Sequence, residues 1–207
     1  MKTKICGLRE RQNVKDLEKL HPQWMGFIFA ETSPRYFYKA NEPAILSSVP
    51  PAIKKVGVFV NATLDMVRET IRKHELNMVQ LHGSETPEYC KALQSKEIQV
   101  IKAFNVNSDF DFGLTESYAL VADYFLLDAK GDQLGGNGIV FNWDILNGKR
   151  FAKPFLLSGG ISSAHVDAIK KFKHPDCIGI DINSRFESSP GMKDVNSIRL
   201  FLQQVQS

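Results

Sequence analysis

Two residues of this chain have side chains suited to acid and base chemistry, and each stands directly after an apolar run. Cys6 ends the first such run, and Asp128 follows Phe125–Leu127. Lys4 precedes Cys6 by two residues, on the same face of an extended segment, and a nearby cation favours the thiolate. If Cys6 and Asp128 face each other, they form the acid and base that proton transfer needs. The alternatives are a small buried cysteine and a carboxylate that caps a helix or braces a loop.

Glycine clusters follow two neighbouring apolar runs. The residues concerned are Gly136, Asn137, Gly138, Gly159 and Gly160. Glycine lets backbone N–H groups approach a ligand closely and form an anion-binding nest. The second cluster comes just before a helix start at Ser162, where unpaired N–H groups attract anions. The alternative is a flexible surface turn, but two clusters at adjacent strand ends favour a phosphate site.

Two further polar side chains follow strand-like runs. Arg35 stands in a turn stiffened by Pro34, where its guanidinium could bind a planar carboxylate bidentately. The alternative for Arg35 is a surface salt bridge. His82 follows Val79–Leu81, and the alternative for this single histidine is a side chain satisfied by the backbone. The other histidines and the three cysteines lack metal-ligand spacing, so no metal is predicted.

The elements of the chain must bring these side chains together. Eight β-like runs lie at about 2–7, 25–30, 54–60, 77–81, 98–104, 123–128, 154–158 and 177–182. Most are continuously apolar, as in parallel strands covered on both faces, and helix starts are predicted at Asn13, Thr63 and Asp194. This alternation predicts an α/β fold, a closed (β/α)8 TIM barrel, as a single domain over 1–207. Reactive side chains at its C-terminal strand ends would meet in one active site.

Composition narrows the class of protein. The 207 residues carry a net charge of +3 and are 43% hydrophobic, which is ordinary for a globular domain. Dispersed Lys and Arg argue against a nucleic-acid partner, and no apolar run approaches the roughly 18 residues of a membrane span. The N-terminus lacks a signal-peptide pattern, and the cysteines lack disulfide spacing, so a cytoplasmic location is predicted. A monomer and a homodimer are equally compatible with the sequence.

Seven segments resemble, in order, those of the phosphoribosylanthranilate isomerase family of tryptophan biosynthesis. They are KTKICGL (2–8), MGFIFAETSPRY (25–36), KKVGVFVN (54–61), VQLHGSE (79–85), LLDAKGDQLGGNGIVFNW (126–143), LLSGGIS (156–162) and IDINSRFESSPGMKD (180–194). The resemblance spans almost the whole chain and implies a (β/α)8 barrel without metal or organic cofactor. It implies a sugar-phosphate substrate, N-(5-phosphoribosyl)anthranilate, and an Amadori rearrangement to 1-(2-carboxyphenylamino)-1-deoxyribulose 5-phosphate.

The resemblance also implies roles for individual residues. Asp128 would be the general acid that protonates the ribose ring oxygen, Cys6 as thiolate would take the proton from C2′, and Arg35 would bind the anthranilate carboxylate. The residues expected around the phosphate are Gly136, Asn137, Gly138, Gly159, Gly160, Asn183 and Ser184. Asp181 and His82 would line the pocket, with secondary roles.

The chain departs from the family pattern in two loops. Asn137 stands where the family usually has threonine, which keeps a polar side chain. After the eighth strand, Asn183–Glu187 replaces the usual Ser-Ser-Gly-Val-Glu, so Arg185 stands at the glycine position and either contacts the phosphate or points to solvent.

Two alternative functions are open to such a chain. One is another sugar-phosphate barrel enzyme such as the histidine-pathway isomerase, against which Cys6 argues, and the other is a binding module without catalysis. Cys6, Asp128 and Arg35 together argue against the binding module.

Overall fold

The computed structural model describes residues 1–40, 44–129 and 143–207, and in them eight parallel strands close into a barrel. The strands are β1 (Lys2–Ile5), β2 (Trp24–Ile28), β3 (Lys54–Phe59), β4 (Met78–Leu81), β5 (Gln99–Val106), β6 (Tyr124–Ala129), β7 (Phe155–Ser158) and β8 (Cys177–Ile182). Each strand pairs with the next, and β8 pairs with β1, where Lys4 is opposite Asp181. The predicted TIM barrel is confirmed.

Short helices alternate with the strands. They are α1 (Arg11–Glu18), α2 (Ile45–Ser48), α3 (Leu64–His74), α4 (Pro87–Leu93), α5 (Val166–Lys171) and α6 (Val195–Gln206), with 3-10 turns at Phe37–Ala40, Phe112–Tyr118, Trp143–Leu146, Ser163–His165 and Ser184–Phe186. The predicted helix starts at Thr63 and Asp194 are confirmed, because each side chain accepts a hydrogen bond from the first turn of its helix. The prediction at Asn13 is wrong. That residue lies inside α1, where its side chain bonds the backbone of Lys193 instead.

Inside the barrel, apolar side chains form a packed layer below the C-terminal mouth. This layer consists of Trp24, Val56, Met78, Ile101, Ala103, Leu126 and Leu156. Side chains two positions apart on a strand share a face. Gln80, Asp128 and Ser158 therefore continue the interior rows of β4, β6 and β7 toward the strand ends. The interior thus changes from apolar to polar where the strands end.

A small hairpin follows β8. Its strands β9 (Glu187–Ser189) and β10 (Met192–Lys193) are antiparallel, with Lys193 opposite Glu187. The turn between them contains Gly191, whose φ of +88° is one that other residues rarely adopt. None of the helices in the described ranges is long and apolar enough to cross a membrane.

Candidate active site

The C-terminal mouth of the barrel holds a pocket that collects most of the predicted site residues. Its lining includes Cys6, Gln80, His82, Asp128, Ser158, Gly159, Gly160, Asp181, Asn183 and Ser184. All of these except Gln80 and Ser158 were expected at the site. Gly136, Asn137 and Gly138 lie outside the described residues. The fold therefore brings residues from β1, β4, β6, β7 and β8 to one place.

Cys6 stands at the end of β1, next to a buried ion pair. Its own side chain is nearly inaccessible, and the fully buried Lys4 donates from Nζ to Asp181 Oδ1 at 2.9 Å. Burial raises the pKa of the Cys6 thiol above its usual value, and the Lys4 ammonium offsets this only in part. Burial by itself would lower the pKa of Lys4, but the Asp181 carboxylate and the Cys6 sulfur together outweigh it and raise that pKa. Lys4 therefore stays charged beside the sulfur, where it favours the thiolate.

Asp128, at the end of β6, contacts a histidine from the end of β4. Asp128 Oδ2 lies 3.1 Å from His82 Nε2, and Gln80 Nε2 lies 3.1 Å from His82 Nδ1. An amide nitrogen only donates, so in this arrangement Nδ1 accepts, and the neutral imidazole donates from Nε2 to Asp128. With the amide turned over, Nδ1 would donate to Gln80, and Nε2 would accept from a protonated Asp128. The two orientations of the Gln80 amide thus correspond to two locations of the proton, on His82 Nε2 or on Asp128.

Two glycines make room for the site. A Cβ at Gly26 of β2 would lie 2.8 Å from Cys6 Sγ. A Cβ at Gly7 would lie 2.7 Å from both Arg35 Cδ and Asn183 Oδ1, and the φ of Gly7 is +78°. Because real Cβ atoms do not approach other atoms so closely, neither position has space for a side chain. Arg35 and Asn183 both lie against Gly7, and Asn183 lines the pocket, whereas Arg35 is not among the lining residues.

Arg35 is already bound by a carboxylate of its own chain. Its Nε donates to both carboxylate oxygens of Glu187 at 2.9 Å, and its Nη2 donates to Oε2 at 2.6 Å. The Arg35 side chain is only 19% exposed and that of Glu187 only 5%, so this is not a surface salt bridge. Nη1 makes no hydrogen bond to any residue that the structure describes. The donors at that end of the guanidinium are therefore not used by the described residues.

The loop after β7 contains the second glycine cluster. Gly159 and Gly160 both have positive φ, +100° and +65°, so the chain turns sharply there. A Cβ at Gly160 would meet no described atom within 4 Å. Ser162 then leads into the turn Ser163–His165, and its N–H donates to His165 Nδ1 at 2.9 Å. Gly160 therefore leaves open space at the pocket wall, just before the helical segment.

Sequence reasoning missed four polar residues of this region, among them Ser158 at the end of β7. Gln80 lies two positions before His82, and this spacing predicts that both face the barrel interior. Glu187 and Lys193 acquire their positions only through the β9–β10 hairpin, which the sequence did not indicate. Within the described part of the chain, no group of three or more His, Cys, Asp or Glu side chains is placed to hold a metal ion.

The chain also matches a known family over nearly its whole length. The model of N-(5'phosphoribosyl)anthranilate (PRA) isomerase matches residues 3–204. The chain belongs to this family. The resemblance seen in its motifs is therefore confirmed.

Individual members of the isomerase family are also similar to this chain in sequence and in structure. N-(5'-phosphoribosyl)anthranilate isomerase of Parabacteroides distasonis is 43% identical over 203 residues, which cover 98% of this chain and 92% of the relative. The solved phosphoribosyl anthranilate isomerase of Thermotoga maritima superposes with a TM-score of 0.87 at 31% identity, covering 100% of this chain and 98% of that one. A solved isomerase in complex with reduced 1-(o-carboxyphenylamino)-1-deoxyribulose 5-phosphate superposes with a TM-score of 0.84 at 29% identity, again covering 100% and 98%.

Proposed function

We propose that this chain converts N-(5'-phosphoribosyl)anthranilate into 1-(2-carboxyphenylamino)-1-deoxyribulose 5-phosphate by an Amadori rearrangement, with Asp128 as acid and Cys6 as base. Family membership supports the reaction. The observation that carries the assignment of the acid and the base is that both residues line one pocket. An aldose-to-ketose rearrangement needs one proton delivered to oxygen and one removed from carbon, and these two side chains supply both functions.

In the first step, Asp128 protonates the ribose ring oxygen. The bond between C1′ and that oxygen breaks, and the nitrogen lone pair forms a C=N double bond, which gives a protonated Schiff base. His82 holds the Asp128 carboxyl in place through the 3.1 Å contact. At the end of each turnover the Cys6 thiol releases its proton to solvent and Asp128 takes one up, so both groups return to their starting states.

In the second step, the Cys6 thiolate removes the proton from C2′. The electrons of the C–H bond form a C1′–C2′ double bond, and those of the C=N bond return to nitrogen, which gives a neutral enolamine. Tautomerisation then adds a proton at C1′ and releases one from the hydroxyl at C2′, so that the ketone forms. Over the whole cycle no proton is gained or lost, which an acid–base pair alone can satisfy.

The two anionic ends of the substrate would bind at the rim of the pocket. The free Nη1 end of Arg35 would receive the anthranilate carboxylate, because a guanidinium suits a planar carboxylate. Gly159, Gly160 and the loop at Asn183 and Ser184 would surround the phosphate. Gly136, Asn137 and Gly138 are proposed for the same phosphate from their place in the sequence.

The function is tested by following the fluorescence of N-(5'-phosphoribosyl)anthranilate with purified protein and by identifying the product. Faster loss of fluorescence than in a protein-free sample, together with appearance of the ribulose phosphate, would support the proposal. Binding of reduced 1-(o-carboxyphenylamino)-1-deoxyribulose 5-phosphate without turnover would contradict it and favour a binding module. The surface variant Asp109→Asn serves as the control and should turn over substrate at the native rate.

A further inference from the structure

A buried carboxylate lies between two cations at the edge of the pocket. Besides its contacts with Arg35, Glu187 accepts a hydrogen bond from Lys193 Nζ at 2.6 Å and one from the Gly191 backbone N–H at 3.1 Å. The Lys193 side chain is fully buried. Two side chains and one backbone N–H therefore fix the position of this carboxylate.

The hairpin fixes the geometry of this cluster. Lys193 on β10 stands opposite Glu187 on β9. The backbone of Lys193 is held on both sides by Asn13, which donates to its carbonyl and accepts from its N–H, each at 2.8 Å. Glu187 thus belongs to a rigid support, and the guanidinium of Arg35 docks against it from a loop 152 residues away in sequence.

The cluster also reaches the lining of the pocket. Lys193 Nζ donates to Asn183 Oδ1 at 2.7 Å, and Asn183 lines the pocket. The three charged side chains of the cluster, Arg35, Glu187 and Lys193, carry two positive charges and one negative charge. Because a buried charge without a counter-ion is costly, the remaining positive charge favours an anionic ligand group at the unbound end of Arg35.

Hydrogen bonding reinforces the charged state of the carboxylate. Burial raises the pKa of Glu187, but the bonds from Arg35 and Lys193 outweigh it and hold that pKa below its usual value. The carboxylate is therefore ionised at neutral pH. In that state it binds the Nε–Nη2 edge of Arg35 and leaves the Nη1 end of the guanidinium for a second carboxylate.

We propose that Glu187 is a positioning residue, which orients Arg35 so that its Nη1 end receives the carboxylate of the substrate. This inference rests on the proposed function, in which that carboxylate belongs to the anthranilate ring. Glu187 does not touch the substrate and acts through Arg35. Its effect should therefore depend on whether a ligand has the carboxylate.

The test compares the binding of two compounds by calorimetry. One is reduced 1-(o-carboxyphenylamino)-1-deoxyribulose 5-phosphate, and the other is the same compound without the ring carboxylate. We expect Glu187→Gln to weaken binding of the first about tenfold, as loss of one charged hydrogen-bond partner does, and to leave binding of the second nearly unchanged. Glu187→Asp should recover part of the loss, and Glu187→Gln should have no further effect when Arg35→Met is already present.

A second buried ion pair provides the matched control. Glu85 lies 3.2 Å from Lys102 with both side chains buried, so Glu85→Gln removes an equivalent charge away from Arg35. This variant should keep the native affinity ratio of the two compounds. If Glu187→Gln does not fold, as judged by circular dichroism, Glu187→Asp carries the comparison.

Two outcomes separate this inference from the proposed function. If the native protein binds both compounds equally or neither of them, Arg35 does not bind the ring carboxylate. Both the positioning role of Glu187 and the role of Arg35 as the carboxylate-binding residue are then wrong. If the native protein prefers the carboxylated compound and Glu187→Gln keeps that preference, only the positioning role of Glu187 is overturned.

Discussion

Lys4 Nζ lies 2.9 Å from Asp181 Oδ1 inside the barrel, where the two residues are direct partners on the adjacent strands β1 and β8. Closure of the barrel therefore creates the ion pair, because only the pairing of β8 with β1 brings these positions together. Cys6 stands two residues beyond Lys4 on the same strand. The pair places a cation beside the sulfur while adding no net charge to the interior.

The Lys4–Asp181 pair predicts a coupled loss of stability. Lys4→Met should lower the free energy of unfolding by about 3–5 kcal/mol, because it leaves the buried Asp181 carboxylate without its counter-ion. The double variant Lys4→Met with Asp181→Asn should recover part of this loss, since no charge then stays buried. Urea unfolding measures the free energy of unfolding of the single and the double variant. A double variant no more stable than Lys4→Met would show that the charge of Asp181 is not the cause.

The environment of Cys6 predicts how activity depends on pH. Burial raises the pKa of the thiol, and the charged groups that face it are Lys4, Asp181 and Lys193. In Asp128→Asn, where loss of the acid's proton can no longer oppose the trend, we expect the residual kcat/KM to rise about tenfold per pH unit between about pH 6 and pH 8, as the Cys6 thiolate forms. Lys193→Met should move this rise to higher pH, whereas Lys19→Met, which removes an exposed cation paired with Asp16, should not. A rate independent of pH over this range would exclude Cys6 as the base.

The close contact of Gly26 with Cys6 predicts a steric effect on catalysis. Gly26→Ala would place a methyl group 2.8 Å from Sγ, so the sulfur must move. Because small displacements of reacting groups are costly, kcat should fall about a hundredfold. Gly113→Ala is the control, since its methyl would meet only Asp111 and should leave kcat at the native value. If steady-state kinetics give the same kcat for Gly26→Ala and Gly113→Ala, the contact between residue 26 and Cys6 does not limit catalysis.

The lowered pKa of Glu187 predicts sensitivity to acid. In the unfolded chain this carboxyl has its ordinary pKa, so the folded protein binds fewer protons in acid than the unfolded chain does. The stabilisation is therefore fully present above that ordinary pKa of about 4.3 and is lost as pH falls through the lower folded value. We expect the stability of the native protein to decrease more steeply below pH 4 than that of Glu187→Gln. Urea titrations of both proteins at several pH values measure this difference. If the free energy of unfolding depends on pH in the same way for both proteins, the prediction is wrong.

Much of the fold could be predicted because parallel barrel strands are short apolar runs. All eight predicted strands lie within two residues of the observed ones. Cys6, His82, Asp128 and Asp181 could be placed for the same reason, because each stands at the end of such a run. The stretch after β5 forms the 3-10 turn Phe112–Tyr118 rather than an α-helix.

The parts that the sequence did not reveal depend on distant pairings. Asn13 has the residue type of a helix cap, yet its side chain bonds the backbone of a residue 180 positions away. The contact of Arg35 with Glu187 likewise spans 152 positions, and no local pattern encodes it. Gln80 differs from these, because its position two residues before His82 is a local signal that both side chains share a face.

The most direct test of the acid–base assignment is the rate of fluorescence loss from N-(5'-phosphoribosyl)anthranilate with Cys6→Ala and Asp128→Asn beside the native protein. Each variant should keep its fold by circular dichroism and bind the reduced product analogue. We expect each to lose about a hundredfold to ten-thousandfold in kcat, the usual contribution of a general acid or base. If either variant turned over substrate within a few-fold of the native rate, the role given to that residue would be wrong.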